Sequence, residues 1–361
     1  MQIGIVGLPY SGKTTLFQTI TETAIDANAA QKRDANIAMV KVPDERLDKL
    51  TDMFNPKKKV NATIEIVDMA GVHKSDSGGP LFSSHFLGRV RTNDALLHVV
   101  RGFHDEAVPH VEGTLDLVRD IRTFEDELLF TDMAFLEGRV EKLGLDIQKG
   151  RSREEAKREL EVMKRWSEAA QNEQPLRELD FGDIEQKYVK NYQPLTAKPL
   201  LIALNLDESD VENTGKILED VRSKITGKSI NIEPFFAKIE MELSQLEGEE
   251  KEMFMEEYGL TESPLSRLIR SAYDLLGLQS FFTVGEDECR AWTIKKGMTA
   301  QEAAGVIHTD FYNKFIRAEV VNYEDYVAAG SMAACKDQGL LRLEGKEYIV
   351  RDGDILNIRH G

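Results

Sequence analysis

The sequence has little cysteine and no long apolar run. Its 361 residues include two cysteines, Cys289 and Cys335, too few for a disulfide framework and without metal-binding spacing. No run approaches the roughly 20 apolar residues of a membrane span, and the chain opens on a strand pattern rather than a signal peptide. We therefore expect a cytoplasmic protein with reduced thiols and no membrane contact.

Positive charge is also in deficit, since 46 Lys and Arg face 63 Asp and Glu, for a formal net charge of −17. That balance argues against DNA binding and against broad wrapping of nucleic acid, which needs clustered cations. Any RNA contact should therefore be local. The length and the 41% of hydrophobic residues predict two or three globular domains.

Short apolar runs alternate with amphipathic stretches along roughly the first 110 residues, as in β/α units. Strands are predicted at residues 3–6, 64–67 and 95–100, and another at 199–204. The pattern predicts an α/β fold with a parallel sheet.

From about residue 115 to residue 167, dense charge and apolar residues at 4,3,4 spacing replace the strand pattern. The stripe comprises Leu117, Ile121, Phe124, Leu128, Leu136, Val140, Leu143 and Ile147. A break at 150–153 and a second amphipathic run at 154–170 predict a helical hairpin inserted in the α/β domain. The stripe is either the seam between the two helices or an arm that binds a partner.

Residues 278–361 are predicted to form a small β-grasp type module. Strand-like runs lie at 281–284, 289–293, 316–321, 340–343 and 348–350, with one helix at 299–307. Cations lie near Trp292 and Phe311 in this segment, so the rings could stack on RNA bases. The alternative is that both rings are core residues and the charges form a solvated rim. The cations are Arg290, Lys295, Lys296, Lys314 and Arg317.

The clearest chemical motif follows the first predicted strand and fits the phosphate-binding pattern G-x-x-x-x-G-K-[ST]. Its residues are Gly7, Leu8, Pro9, Tyr10, Ser11, Gly12, Lys13 and Thr14, with Thr15 next in a helical pattern. Backbone N–H groups of such a loop form an anion nest at a helix N-terminus. Lys13 is expected to reach the β and γ phosphates, and the Thr14 hydroxyl to hold Mg²⁺. These residues form the predicted site for ATP or GTP.

A second motif, Asp68-Met69-Ala70-Gly71, closes the strand predicted at 64–67. Asp68 at the strand tip is predicted to hold the metal through water, as a second oxygen donor beside Thr14. Gly71 would let a backbone N–H approach the γ-phosphate.

A third motif, Asn205-Leu206-Asp207-Glu208, follows the strand predicted at 199–204, where a guanine-specific protein carries N-K-x-D. Leu206 and Glu208 replace the Lys and the Asp, so a bidentate grip on guanine would be mispositioned. Leaving guanine donors unpaired in a buried pocket costs about 1 to 3 kcal/mol. The Asn205 amide could instead accept from the adenine amine.

Together these motifs resemble the YchF group of Obg-like ATPases. The resemblance covers essentially the full chain and includes GLPYSGKTT, IVDMAG, NLDE, FAKIE, RAWTI and AGVIHTDF. It implies a Ras-like P-loop G domain at 1–115 and 196–277, a helical coiled-coil insertion at 116–195 and a TGS domain of β-grasp fold at 278–361. It also adds Ala237 and Lys238 to the nucleotide-binding residues.

Members of this group hydrolyse ATP in preference to GTP, associate with ribosomes and are tied to translation and stress responses. The resemblance implies a slow, Mg²⁺-dependent nucleoside triphosphatase that meets the ribosome through its TGS and helical domains. The protein is expected to be a monomer. Two alternatives stay open: a conventional GTP-preferring GTPase, and a nucleotide-sensing module with little hydrolysis.

Switching and water activation depart from the usual pattern. The group's T-I-E-P switch segment corresponds here to residues 31–37, which contain no Thr, and Tyr10 and Ser11 replace the usual Asn and Val. Val72 stands where Ras-like proteins have a water-orienting Gln. His110 is therefore the first candidate to position the catalytic water and His73 the second, although either could be a plain solvated histidine.

Overall fold

The structure is a computed structural model that describes residues 1–23, 37–69, 82–150 and 154–361. The strands in these ranges are β1 Gln2–Val6, β2 Ile37–Lys41, β3 Lys58–Val60, β4 Thr63–Asp68, β5 Ala95–Gly102, β6 Leu200–Leu206, β7 Ile230–Phe235, β8 Leu278–Thr283, β9 Glu288–Lys295, β10 Phe315–Asn322, β11 Arg342–Glu344 and β12 Asp354–His360. The helices are α1 Lys13–Thr23, α2 Glu45–Phe54, α3 Ser84–Arg91, α4 Leu117–Gln148, α5 Glu154–Gln171, α6 Asp183–Tyr192, α7 Thr214–Lys224, α8 Ala237–Leu243, α9 Gly248–Glu257, α10 Pro264–Leu275, α11 Ala300–Ile307, α12 Thr309–Asn313, α13 Tyr323–Ala329 and α14 Met332–Asp337. None of these helices is long and apolar enough to cross a membrane.

The described chain divides into two compact units. The first contains residues 1–23, 37–38, 65–69, 82–150 and 154–271, and the second contains 39–64 and 272–361.

A six-stranded sheet in the order β2-β4-β1-β5-β6-β7 organises the first unit. β1 pairs in parallel with β4 and β5, β5 with β6, and β6 with β7. The strands predicted at 3–6, 64–67, 95–100 and 199–204 are confirmed as β1, β4, β5 and β6. Because parallel strands end at one edge, the residues that follow them meet there.

The helix α4 serves two hydrophobic cores. Asp116 caps its N-terminus by accepting from the Arg119 N–H. In its first half Ile121, Phe124 and Leu128 are buried in the core of the parallel sheet. In its second half Leu136 and Leu143 join a separate core that includes the fully buried Trp166 of α5. The apolar stripe is therefore a packing surface along most of its length.

A buried carboxylate joins α4 to the segment before β6. Asp132 is fully buried and accepts from the Leu195 N–H at 3.0 Å, the Thr196 N–H at 2.8 Å and the Thr196 hydroxyl at 2.8 Å. Burial raises the pKa of Asp132, and the three donated hydrogen bonds oppose that change.

The second unit is built on a sheet in the order β11-β10-β12-β8-β9-β3. The predicted runs at 281–284, 289–293, 316–321 and 340–343 lie on or beside β8, β9, β10 and β11. The run at 348–350 was wrong as a strand, since it forms only an isolated bridge between Ile349 and Thr299. Sequence analysis missed β12 and the short helices α12, α13 and α14. The predicted helix is confirmed as α11, where Thr299 and Glu302 form a capping box.

Residues 39–64 complete this second unit. Asp44 caps α2 and accepts from the Arg46 N–H, and the Arg46 guanidinium also pairs with Asp352 at 2.7 Å. β3 then adds a parallel strand to β9, with Lys58 opposite Glu288.

Candidate nucleotide site

The phosphate-binding loop follows β1 directly, and α1 begins at Lys13. Gly7 and Gly12 have φ angles of 145° and 98°, which residues with a Cβ rarely adopt. A Cβ on Gly7 would lie 2.3 Å from the Val99 carbonyl oxygen, and one on Gly12 would lie 2.2 Å from Asn205 Nδ2. Only glycine fits at these two positions, because the loop backbone lies tightly on its neighbours.

Tyr10 is the unusual residue of the loop. Its φ of 62° places it in the left-handed region, where a bulky side chain is strained. Its side chain is 64% exposed. The next residue, Ser11, is buried, and its hydroxyl has no hydrogen-bond partner among the described residues.

The Asn205 side chain ties the loop to the neighbouring strand ends. Asn205 is buried at the end of β6; its Nδ2 donates to the Ser11 carbonyl at 3.1 Å, and its Oδ1 accepts from the Ala237 N–H at 3.2 Å. Both ends of the amide that sequence analysis considered for adenine therefore contact protein backbone. The side chain fixes the phosphate loop relative to the start of α8.

Lys13 lies inside the loop, where its Nζ donates to the Leu8 carbonyl at 2.7 Å. Burial lowers the pKa of Lys13 to about 8, and the nearby Asp68 carboxylate partly opposes this. An ammonium group that is poorly hydrated gains strongly from a phosphate partner. The position suits the role predicted for the P-loop lysine.

Thr14 and Asp68 supply the oxygen donors that a magnesium ion would need. Thr14 is exposed at the start of α1, and Asp68 is half-buried at the end of β4. Burial raises the pKa of Asp68, and Lys13 and Arg89 oppose that change. Mg²⁺ prefers one or two protein oxygens together with phosphate oxygens and water. The hydroxyl and the carboxylate fit that donor set.

The sheet edge where base binding is predicted from the sequence lies after β6 and β7. Leu206 is 4% exposed, and its Cδ2 would be 2.7 Å from a Cβ on Gly102, so it packs largely into the core. Glu208 and Lys238 are more exposed, and their Oε1 and Nζ atoms lie 3.4 Å apart. The structure therefore brings Glu208, Ala237 and Lys238 to one edge of the sheet, beside Asn205.

Two residues at the end of β5 were not identified from the sequence, Arg101 within the strand and Phe103 directly after it. Phe103 Cε1 would lie 3.9 Å from a Cβ on Gly12, which places the ring beside the phosphate loop. The Arg101 guanidinium lies 4.7 Å from this ring and donates to the Val108 carbonyl at 2.8 Å. An aromatic residue directly after a strand that neighbours the P-loop strand was the available signal.

His110 lies in a different setting from the one expected of a water-positioning base. Its Nε2 is 2.9 Å from Asp120 Oδ2, and its Nδ1 accepts from the Glu112 N–H at 3.1 Å. Both the imidazole and the Asp120 carboxylate are nearly buried. His110 is therefore not a plain solvated histidine, and its ring is held against the first turn of α4.

Several predicted features lie outside the described residues. These are Gly71, Val72 and His73, the loop at 74–80, and all but the last residue of the segment 31–37.

Comparison with known proteins identifies the family. Residues 2–129 match the family described as 50S ribosome-binding GTPase, and residues 278–361 match the YchF GTPase carboxy-terminal family, described as a protein of unknown function. A Bacillus subtilis protein named ribosome-binding ATPase YchF is 45% identical over 99% of this chain and 98% of its own length. The chain belongs to the YchF family.

Other members support the same assignment. The ribosome-binding ATPase YchF of Haemophilus influenzae is 39% identical over 99% of this chain and 98% of its own. Obg-like ATPase 1 of Gallus gallus is 36% identical over 99% and 91%. The solved structure of the Schizosaccharomyces pombe YchF GTPase has a TM-score of 0.87 at 34% identity, covering 99% of this chain and 97% of that one. The predicted resemblance and fold class are confirmed, and YchF membership makes the chain a nucleoside triphosphatase.

Proposed function

We propose that this chain is a slow, Mg²⁺-dependent ATPase whose nucleotide state controls association with the ribosome. The observation that carries the proposal is Lys13, half-buried inside a glycine loop, with Thr14 and Asp68 at its rim. Relatives named ribosome-binding ATPases support the choice of partner and nucleotide.

In the proposed reaction a water attacks the γ-phosphorus and the bond to the β–γ bridging oxygen breaks. The loop N–H groups and Lys13 hold the negative charge on the β and γ phosphates. Thr14 and Asp68 would hold Mg²⁺, which neutralises part of that charge. His110, the first candidate, is not free to act as a base, because its Nε2 lies 2.9 Å from Asp120 Oδ2 and its Nδ1 accepts from the Glu112 N–H. Slow turnover is therefore expected until a partner completes the site.

Lys13→Ala tests the site itself. We expect it to abolish tight binding of ATP, whereas Lys238→Ala removes an exposed ammonium at the same sheet edge and should leave much of the affinity. Equilibrium titration with a fluorescent ATP analogue gives both values. Wild-type affinity in Lys13→Ala would show that triphosphate binds elsewhere.

The preference for ATP or GTP distinguishes the proposed ATPase from the first alternative, a conventional GTPase. Glu208 is paired with Lys238, so its carboxylate is already engaged and is displaced relative to the Asp of N-K-x-D. Competition of ATP against GTP on the wild type should favour ATP, and Glu208→Asp should narrow the difference. A wild type that prefers GTP would establish the alternative. Leu206→Lys is a poorer test, because it would bury a lysine in the core.

Hydrolysis distinguishes the second alternative, a nucleotide-sensing module. Single-turnover ATP hydrolysis should be slow alone and faster with ribosomes. Binding to ribosomes that depends on ATP but leaves the ATP intact would favour the sensing module.

The proposal extends to architecture and location. The G domain is assigned to 1–115 and 196–277, the helical insertion to 116–195 and the TGS domain to 278–361. Residues 39–64 fall within the G-domain assignment by sequence order, although they pack with 272–361 in the second compact unit. The helical insertion and the TGS domain are the proposed ribosome contacts of a cytoplasmic monomer. Cosedimentation of a truncation after residue 277 with ribosomes tests the TGS contact, and retained ATP binding serves as its folding control.

A further inference from the structure

The second unit contains a cavity of about 560 Å³. Its walls come from the end of α2, the β8–β9 hairpin, β12 and the helices α11, α12 and α14. Most of its lining is aromatic or aliphatic and includes Phe54, Trp292, Phe311, Met332 and Ile358. Volume and lining are those of a binding site for a flat organic group.

Trp292 is held in place at this cavity. Its Nε1 donates to the Thr283 hydroxyl at 2.9 Å, and the Arg290 guanidinium lies 4.1 Å from the ring centre. Trp292, Phe54 and Phe311 are each half-buried. Trp292 and Phe311 pack on the core, which was one of the two alternatives considered from the sequence, and they also line the cavity.

Three consecutive lysines lie beside the cavity, Lys57 before β3 and Lys58 and Lys59 within it. β3 is an edge strand, and Lys58 lies opposite the cavity residue Glu288 in the β3–β9 pairing. Lys57 and Lys58 have side-chain exposures of 82% and 58%. Their ion pairs with Asp287 and Glu288 are solvent-exposed, so phosphate can compete for the ammonium groups at little cost.

The charge of the unit is nearly balanced. Residues 39–64 and 272–361 carry 16 Lys and Arg against 18 Asp and Glu, while the rest of the chain carries 30 against 45. The strong acidity of the protein therefore lies outside this unit. A polyanion would be repelled far less here than elsewhere.

We propose that this cavity binds one unpaired RNA base, stacked against the aromatic wall that includes Trp292, while the adjoining sugar-phosphate backbone follows Lys57 and Lys58. Base stacking gives affinity without strict sequence choice, and the lysines give a salt-dependent increment. The proposal deepens the ribosome association proposed above, on which it rests. An extended apolar peptide is the competing occupant of the cavity. Such a peptide would not use the exposed Lys57 and Lys58 beside the cavity, whereas an RNA backbone would.

Tryptophan fluorescence tests the proposal directly, because the chain has two tryptophans. Trp166 is fully buried, and its Nε1 has no hydrogen-bond partner in the described part of the chain, so Trp166→Phe should fold and leave Trp292 as the reporter. Titration with hexaadenylate RNA should quench this emission saturably. The affinity should fall on raising salt from about 50 to about 200 mM. Inorganic tripolyphosphate at the same charge should not quench.

Charge reversal supplies a second measurement that does not alter the cavity. In the Trp166→Phe background, Lys57→Glu with Lys58→Glu should weaken RNA binding about tenfold or more. Lys346→Glu with Lys296→Glu is the control of equal charge change; Lys346 follows β11, at the opposite edge of the sheet, and Lys296 follows the end of β9 away from Glu288. Equal losses in both double variants, no quenching by RNA, or stronger quenching by an uncharged apolar peptide would each overturn the proposal.

Cosedimentation with ribosomes separates this failure from failure of the proposed function. If the wild type pellets with ribosomes but hexaadenylate leaves Trp292 unchanged, the base site is wrong and ribosome association stands. If hexaadenylate quenches Trp292 and the wild type does not pellet in any nucleotide state, the base site stands and ribosome control is wrong.

Discussion

Raising the pH from 7 to 9 should weaken ATP binding about tenfold, because Lys13 loses its proton in this range. Burial lowers the pKa of Lys13 from 10.5 to about 8. At 1.36 kcal/mol for each tenfold change, that difference disfavours the ammonium form by about 3 kcal/mol. At pH 9 Lys13 is protonated in only about one in ten unliganded molecules, so ATP binding must be accompanied by uptake of a proton.

The protonation of Lys13 makes ATP affinity and folding stability depend on pH in opposite directions. Bound phosphates favour the ammonium form and raise the pKa of Lys13, so ATP affinity falls as pH rises above about 8. In the unliganded protein the folded-state pKa lies below the unfolded value of 10.5. Between these two values the unfolded state binds more protons, so Lys13 makes the free energy of unfolding increase with pH. Lys13→Ala should lose this increase.

Isothermal titration calorimetry at pH 7, 8 and 9 in buffers of different ionisation enthalpy measures the proton uptake. Uptake should be small at pH 7 and about 0.9 proton per ATP at pH 9. The last ionisation of a phosphate lies near pH 6 and does not interfere. Lys238→Ala should keep the same dependence. Constant affinity and no uptake up to pH 9 would refute the assignment of a desolvated Lys13.

Three substitutions test the supports of the site and the insertion, each by chemical denaturation. Asn205→Leu should lower the free energy of unfolding by about 2 kcal/mol or more and weaken ATP binding, because the Ser11 carbonyl and the Ala237 N–H lose their hydrogen-bond partner. An unchanged ATP affinity would contradict the conclusion that Asn205 fixes the phosphate loop. Asp132→Asn should lower the free energy of unfolding by about 2 kcal/mol, because the new amide N–H₂ faces groups that themselves donate hydrogen bonds. An unchanged free energy of unfolding would mean that water replaces the lost hydrogen bonds. Tyr10→Asn should raise the free energy of unfolding by up to about 1 kcal/mol, because Asn tolerates the left-handed backbone conformation better than Tyr. A decrease would show that the phenol ring makes a stabilising contact.

Local pattern was sufficient for the phosphate loop and for most of the parallel sheet. The glycines, Lys13 and Thr14 are close in sequence, and the apolar runs of β1, β4, β5 and β6 signal buried strands by composition alone. The same holds for α4, whose 4,3,4 spacing is long and regular. What the spacing could not show is that Phe124 and Leu136 enter different cores, because that depends on where each half of the helix packs.

In the second unit, strands that pair with distant parts of the chain could not be predicted from the sequence. β3 is short, charged and exposed, so Lys58 carries no strand signal, and its partner Glu288 lies far along the chain. β12 was missed because Gly353 precedes it, Asp354 begins it and polar residues interrupt its apolar pattern. Sequence likewise supplied His110 as a candidate but could not show Asp120 against its ring.

The Asn205 geometry changes where base specificity should be sought. A residue type shows that an amide is present, but only the structure shows that its oxygen accepts from Ala237 and its nitrogen donates to Ser11. Because Asn205 is also buried, the remaining N–H and lone pair of its amide have little access to a base. The discriminating polar groups at this edge are then Glu208 and Lys238, whose Oε1 and Nζ atoms lie 3.4 Å apart in a solvent-exposed pair. Breaking an exposed pair costs little, so the physical reason to expect a preference for ATP is that Leu206 and the longer Glu208 replace the Lys and Asp of N-K-x-D and weaken guanine recognition.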